Sequence, residues 1–248
     1  PLAEADYNPT PGLIHKYPGR VLLIVSGGCA INCRYCFRRH FPYQDNNPSR
    51  QQWQQTLDYI RRDESINEVI LSGGDPLAAS DKLLTELVGQ IADIAHITTL
   101  RVHSRMPVVL PQRITAQCLG WLQQAKLQTV MVIHSNHANE IDGDVELALQ
   151  QLKAAGITLL NQAVLLRGVN DSRDALAQLS QRLFSCGVLP YYLHLLDPVQ
   201  GAAHFQVSEA QAKALVRSLL SSLPGYLIPK LVKEQAGASS KTPIDCGL

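Results

Sequence analysis

Short apolar runs alternate with amphipathic stretches of helix length along most of this chain of 248 residues. The runs at 20–25, 68–71, 99–103, 129–134, 158–166 and 189–195 are rich in Val, Ile, Leu and Thr and predict strands. Between and after them, apolar positions recur at helical spacing over 51–62, 81–91, 114–124, 145–154, 173–186 and 208–220. Six strand–helix units in succession predict parallel strands joined by right-handed crossovers. The strands read as near-continuous apolar runs, the pattern expected when helices cover one face and packed side chains fill the other. Six units are two short of a closed eight-fold barrel. An α/β architecture of the open, partial (β/α)6 barrel type is therefore the first expectation, and a doubly wound sheet the second.

Both folds gather ligands at the carboxyl ends of their strands, and the unusual polar residues fall there. Cys29, Cys33 and Cys36 follow the first strand, and Ser72-Gly73-Gly74-Asp75 the second. His103-Ser104-Arg105 follows the third, and His134-Ser135-Asn136-His137 ends the fourth. Gln162 lies within the fifth, and His194 and Asp197 close the sixth. Taken singly, each has a plain structural reading as a cap, a core histidine or a turn residue. Recurring on every strand, they form a site.

The cysteine loop carries the sharpest chemistry. Three soft thiolates at C-x3-C-x2-C spacing can hold three irons of a cubane cluster and leave the fourth open to a ligand. An electron carrier would normally supply a fourth cysteine. Zinc on Cys33, Cys36 and His40 is the alternative, and it leaves Cys29 surplus; unreactive thiols are a third reading. Cys118, Cys186 and Cys246 stand at no ligand spacing, and nothing in the sequence calls for disulfides.

Composition narrows the partners. The formal charge is +1, so no polyelectrolyte surface is expected and nucleic acid is not a suggested substrate. The one basic cluster, Arg34, Arg38, Arg39 and His40, adjoins the cysteines and suits carboxylates or phosphates in a site. No apolar run reaches transmembrane length, so a soluble, cytoplasmic chain in a reducing compartment is expected, with no membrane partner. The first residue is Pro, which reads as the trimmed start of a longer protein.

The cysteine triplet with Tyr35 before its third member resembles the signature of radical S-adenosylmethionine (SAM) enzymes. More narrowly, Cys29 to Arg39, Ser72 to Asp75, Pro111 to Thr115, Asn161-Gln162, Leu166 to Asp171 and Ser240-Lys241-Thr242-Pro243 resemble lysine 2,3-aminomutase. The resemblance covers nearly the whole chain. Pro190 to His194 and the run through Asp197 to Gln200-Gly201-Ala202-Ala203-His204-Phe205 resemble the short bacterial branch, which makes β-lysine for modifying translation elongation factor P.

This resemblance implies an isomerase on a radical SAM partial barrel, with a 4Fe-4S cluster, SAM and pyridoxal 5′-phosphate (PLP) as cofactors. L-lysine would be its substrate, and a donor such as flavodoxin or ferredoxin its source of electrons. Cys29, Cys33 and Cys36 would hold the cluster; Ser72, Gly73, Gly74, Asp75, His134 and Gln162 would bind SAM. Glycines in that segment would let the backbone come close, and its carboxylate would pair with an ammonium. Lys241, otherwise read as a solvated tail lysine, would hold PLP, with Lys16 and Arg20 near its phosphate. Lys16 stands where the long forms carry an arginine, keeping the charge and losing the bidentate fork. Arg38 would take the substrate carboxylate, and Asp197 with Glu234 the far ammonium. Glu234 replaces a family aspartate, and Gly237-Ala238-Ser239-Ser240 is less glycine-rich than in the long forms. The division expected is an N-terminal arm over 1–18, the barrel over 19–222 and a C-terminal segment over 223–248 carrying the PLP lysine. An aminomutase for another amino acid such as glutamate, and a non-catalytic iron–sulfur carrier, are the rival readings.

Overall fold

The computed structural model describes residues 7–43, 50–124, 126–235, 238 and 240–247. Residues 1–6 of the expected arm, and Gly237 and Ser239 of the loop before Lys241, lie outside them.

Among the described residues one open sheet of nine strands is formed, each strand pairing with the next in sequence. The strands are β1 (Leu13–Tyr17), β2 (Arg20–Ser26), β3 (Glu68–Gly73), β4 (Thr99–Ser104), β5 (Gln128–Ile133), β6 (Thr158–Val164), β7 (Leu189–His194), β8 (Lys230–Lys233) and β9 (Thr242–Pro243). β2 to β8 run parallel. β1 and β9 close the two edges as antiparallel strands. The helices are α1 (Arg50–Arg62), α2 (Asp81–Ala92), α3 (Met106–Val109), α4 (Ala116–Leu122), α5 (Gly143–Ala154), α6 (Arg173–Ser185) and α7 (Glu209–Leu220). None among the described residues is long and apolar enough to cross a membrane.

All six predicted strands and all six predicted helices are present. Several helices start where a side chain caps them: Ser80 accepts from Leu83 N, Asp142 from Val145 N, and Ser172 from Ala175 N. Ser208 and Gln211 form a reciprocal capping box on α7. α4 is shorter than expected, because Thr115 is its cap and Ile114 belongs to the preceding turn. The sequence reading missed β1, α3, β8 and β9, all short. β8 has only four residues, with a lysine at each end and no long apolar run.

Helices cover one face of the sheet as expected, but the other is not filled by packed side chains, which corrects that part of the expectation. Val21, Leu23, Val69, Leu71, Leu100, Val102, Met131, Leu159 and Leu193 point to the helices and join the main core. The opposite face lines a cavity of about 690 Å³. β4 shows why: Leu100 and Val102 go to the core while Arg101 and His103 point into the cavity. An irregularity in the β6–β7 register sets Asn161 opposite Pro190 but Gln162 opposite Tyr192. The extra residue turns both Tyr191 and Tyr192 to the cavity wall.

Candidate active site

The cavity unites residues of β1, β2, β3, β4, β6 and β7 with His134 just after β5, Glu234 just after β8 and Lys241 just before β9. At its mouth the chain leaves β2 through Gly27 and Gly28 into the cysteine loop, tightened by bonds from Cys36 N to Cys33 O and from Arg39 N to Cys36 O. Cys29, Cys33 and Cys36 all line the cavity. Burial pushes the Cys29 thiol up to about 11, with Asp75 and the other two cysteines adding to the rise. Burial also raises Cys36. Three mutually repelling soft donors of this kind are stabilised as thiolates by a bound metal cation. The donor set fits an iron–sulfur cluster.

Against this loop lies the segment after β3. Gly74 N donates to Ser26 O and Asp75 N to Gly28 O. A Cβ on Gly73, whose φ is +128°, would come within 2.4 Å of Ser26 O, and one on Gly74 within 2.5 Å of Gly28 O. The glycines thus allow close approach to the cysteine loop's own backbone. Asp75 is buried and accepts from Leu77 N at 3.0 Å, Ser104 Oγ at 2.8 Å and Arg105 N at 2.8 Å. Burial pushes its carboxyl above the usual carboxylate value against the pull of these donors. Its carboxylate ties β3 to the end of β4. Of the basic cluster, Arg38 is buried and donates to Ser72 Oγ at 3.0 Å, whereas Arg34, Arg39 and His40 are exposed.

The middle of the cavity carries His103, His134, Gln162 and His194. Burial is the main cause that drives His134 down to about 3, and it holds His103 and His194 well below the ordinary histidine range. All three are neutral at pH 7. Gln162 Nε2 lies 2.9 Å from His134 Nε2. Among the described residues, five buried side-chain atoms have no hydrogen-bond partner: Arg101 Nε, His103 Nε2, Arg105 Nε, Gln162 Oε1 and His194 Nε2. Every one belongs to a residue that lines this cavity. Buried polar groups are rarely left unpaired, and such a concentration marks a site built for polar ligands.

At the far wall, Glu234 accepts from Lys241 Nζ at 2.8 Å and stands 3.7 Å from Lys16 Nζ. Burial lowers Lys241 from the usual lysine value while Glu234 and Asp197 pull it back up. Glu234 is opposed by its own burial, but the two lysines hold it below the usual carboxylate range. Lys241 Nζ lies 5.7 Å from the Tyr192 ring centre, and Arg20 stacks on Tyr17 at 4.8 Å. Cys118, Cys186 and Cys246 are buried elsewhere in the core.

Every residue to which the family resemblance gave a ligand role therefore lines one cavity, whereas Arg34 and His40 of the basic cluster and Ser135, Asn136 and His137 after β5 do not line it. Arg101, Tyr17, Tyr191 and Tyr192 line it too and were not anticipated. For Arg101 the signal was available in the strict polar–apolar alternation of β4.

The fold and the cysteine loop together define a radical SAM protein: residues 23–114 match the Radical SAM superfamily. The barrel resembles Streptococcus suis SuiB bound to precursor peptide SuiA, with a TM-score of 0.65 and 12% identity over 91% of this chain and 50% of that one. That likeness concerns the fold. The L-lysine 2,3-aminomutase of Escherichia coli strain K12 is 51% identical over 99% of this chain and 72% of its own length. The same enzyme of Haemophilus influenzae strain Rd is 52% identical over 98% and 72%. The chain belongs to the lysine 2,3-aminomutase family of radical SAM isomerases, whose radical SAM chemistry uses a 4Fe-4S cluster and SAM.

Proposed function

We propose that this chain converts L-lysine to β-lysine with a 4Fe-4S cluster, SAM and PLP held together in the one cavity. The observation that carries this reading is the gathering of five unpartnered buried polar atoms between the cysteine loop and the Lys241–Glu234 pair. Cys29, Cys33 and Cys36 hold the cluster. Ser72, Gly73, Gly74 and Asp75, with His134 and Gln162, form the SAM site, where Gln162 Oε1 has an acceptor to offer. Lys241 carries PLP, with Lys16 and Arg20 near its phosphate. When bound, the cluster and SAM supply a carbon radical for hydrogen abstraction, and PLP supplies the π-system across which nitrogen migrates from C2 to C3.

The chain's own residues orient and neutralise. Burial lowers Lys241 from the usual lysine value, which raises the share of the free amine that can attack an aldehyde. Glu234 holds its Nζ meanwhile. Glu234, which also faces Lys16, would accept the substrate ε-ammonium beside Asp197. Arg38, buried and already positioned by Ser72, fixes the α-carboxylate at the other end. The neutral histidines offer hydrogen bonds without adding charge.

The arm over 1–18, barrel over 19–222 and C-terminal segment over 223–248 divide the labour, the last bringing the PLP lysine to the barrel. Likeness to the short bacterial form supports elongation factor P as the destination of the product, and flavodoxin or ferredoxin as the electron source. Glutamate, the rival substrate, would place a carboxylate against Asp197 and Glu234. The test is anaerobic turnover of L-lysine and L-glutamate by the reconstituted protein and by Asp197→Asn. Losing an ionic hydrogen bond of roughly 1.5–3 kcal/mol should lower kcat/KM for lysine by about tenfold or more. Normal lysine turnover by Asp197→Asn, or a preference for glutamate, would remove the lysine assignment.

A further inference from the structure

Arg105, immediately after β4, lies at the cysteine loop but belongs to none of the ligand sets above. Its backbone N donates to Asp75 Oδ2 at 2.8 Å. Its Nη1 lies 3.1 Å from Cys33 Sγ and also donates to the Tyr35 hydroxyl. Its Nη2 donates to Glu140 Oε2 at 2.8 Å. Glu140 is itself fixed, because Oε1 accepts from Asn136 N at 2.7 Å and His137 N at 3.0 Å. Asn136 completes the frame: its Nδ2 donates to the Tyr35 hydroxyl, and its Oδ1 accepts from Val164 N at 2.9 Å. Asn170 Nδ2 donates in turn to Asn136 O. The guanidinium is thus held at both ends and at the backbone, with one edge presented to a cysteine sulfur.

Such a frame is more than a surface ion pair needs. Side-chain exposure is 18% for Arg105 and 24% for Glu140, so solvent screens the pair only in part. Glu140 lies on the far side of the guanidinium, bonded to Nη2, while Nη1 faces the sulfur. The Arg105–Glu140 pair therefore turns its positive end to Cys33 Sγ. N–H donors to a cluster's sulfur ligands, and positive charge beside them, stabilise the more negative, reduced cluster.

We propose that Arg105 is a positioning residue that sets the reduction potential of the cluster, acting through its N–H contact with Cys33 Sγ in a frame built by Glu140, Asn136 and Tyr35. This rests on the assignment of Cys33 as a cluster ligand. It assigns to Arg105 the task of making the first electron easier to accept from a low-potential donor.

The test is an EPR-monitored redox titration, with dithionite as reductant, of the anaerobically reconstituted protein and of Arg105→Met, with iron and sulfide assayed in both. With cluster content unchanged, the variant should be at least about tenfold harder to reduce, a midpoint lower by about 59 mV for a one-electron couple. An unchanged or higher midpoint in a cluster-loaded Arg105→Met overturns the inference. Should Arg105→Met lose the cluster, Arg105→Lys decides the matter. Its single ammonium cannot serve Cys33, Tyr35 and Glu140 together, so a smaller shift in the same direction is expected, and an identical midpoint overturns the proposal. A parent protein that binds no cluster at all would refute the cluster assignment itself, a result distinct from either.

Discussion

Glu234 sits between two lysines, and its removal gives a quantitative test of how the far wall works. Glu234→Gln keeps an oxygen that can accept from Lys241 Nζ but removes the charge, 2.8 Å away in the parent. Both side chains are mostly buried, at 26% exposure for Lys241 and 12% for Glu234, so the interaction is only partly screened. A hydrogen bond to a charged group is worth about 1.5–3 kcal/mol and a neutral one about 0.5–1.5 kcal/mol. The difference, about 1–1.5 kcal/mol, is lost to the ammonium form of Lys241. At a decade per 1.36 kcal/mol, the fraction of Lys241 present as free amine near pH 7 should rise about five- to thirteenfold. The assay is competitive trace acetylation of the cofactor-free protein followed by peptide mass spectrometry, with exposed Lys230 as internal reference. Lys241 labelling should rise by that factor relative to Lys230. A ratio unchanged or lower than in the parent would refute the charge argument.

Other outcomes follow from the same geometry. Cys33→Ala should abolish cluster binding and SAM cleavage while Cys118→Ala retains both, read by iron content and by 5′-deoxyadenosine formation; a fully active Cys33→Ala would remove the cluster assignment. Borohydride reduction with PLP should leave the phosphopyridoxyl mass on Lys241, and finding it reproducibly on Lys230 or Lys233 would refute the assignment of PLP to Lys241. His134 takes a proton only near 3 in the folded chain against 6.5 as its ordinary value, so the unfolded chain binds more protons between those limits. Its contribution to stability is complete above the higher value and falls away as the pH drops. Replacing it with Gln should flatten the acid-side slope of the cofactor-free protein's unfolding free energy by about 1.36 kcal/mol per pH unit. Urea unfolding at pH 7, 6 and 5 reads this slope, and an identical slope in His134→Gln would contradict the buried, neutral assignment.

Much of this arrangement was legible in the sequence, for identifiable physical reasons. Apolar positions at helical spacing located α2, α5, α6 and α7, because periodicity acts locally. The polar residues at the strand ends pointed to one site because parallel strands bring their carboxyl ends together. What stayed hidden depends on distant partners. β8 and β9 are too short to announce themselves, and they exist as strands through pairing with β7 and with each other. Arg101 was passed over because the inner face, expected to be filled by packed side chains, is a cavity wall. Tyr191 and Tyr192 share that wall through a register irregularity that composition does not encode. The salt bridge of Glu234 with Lys241, seven residues apart, likewise needs the C-terminal segment to fold back along β8.

The central claim, that one cavity moves an amino group from C2 to C3 of lysine, is tested most directly by following that nitrogen. Lysine labelled with nitrogen-15 at the α-amino group and carbon-13 at C3 is incubated anaerobically with the reconstituted protein, SAM, PLP and dithionite. The account predicts a carbon-13 signal at C3 that gains a one-bond coupling to nitrogen-15, with the label retained in β-lysine. A C3 signal that never acquires the coupling, or nitrogen-15 released as ammonium, would contradict it.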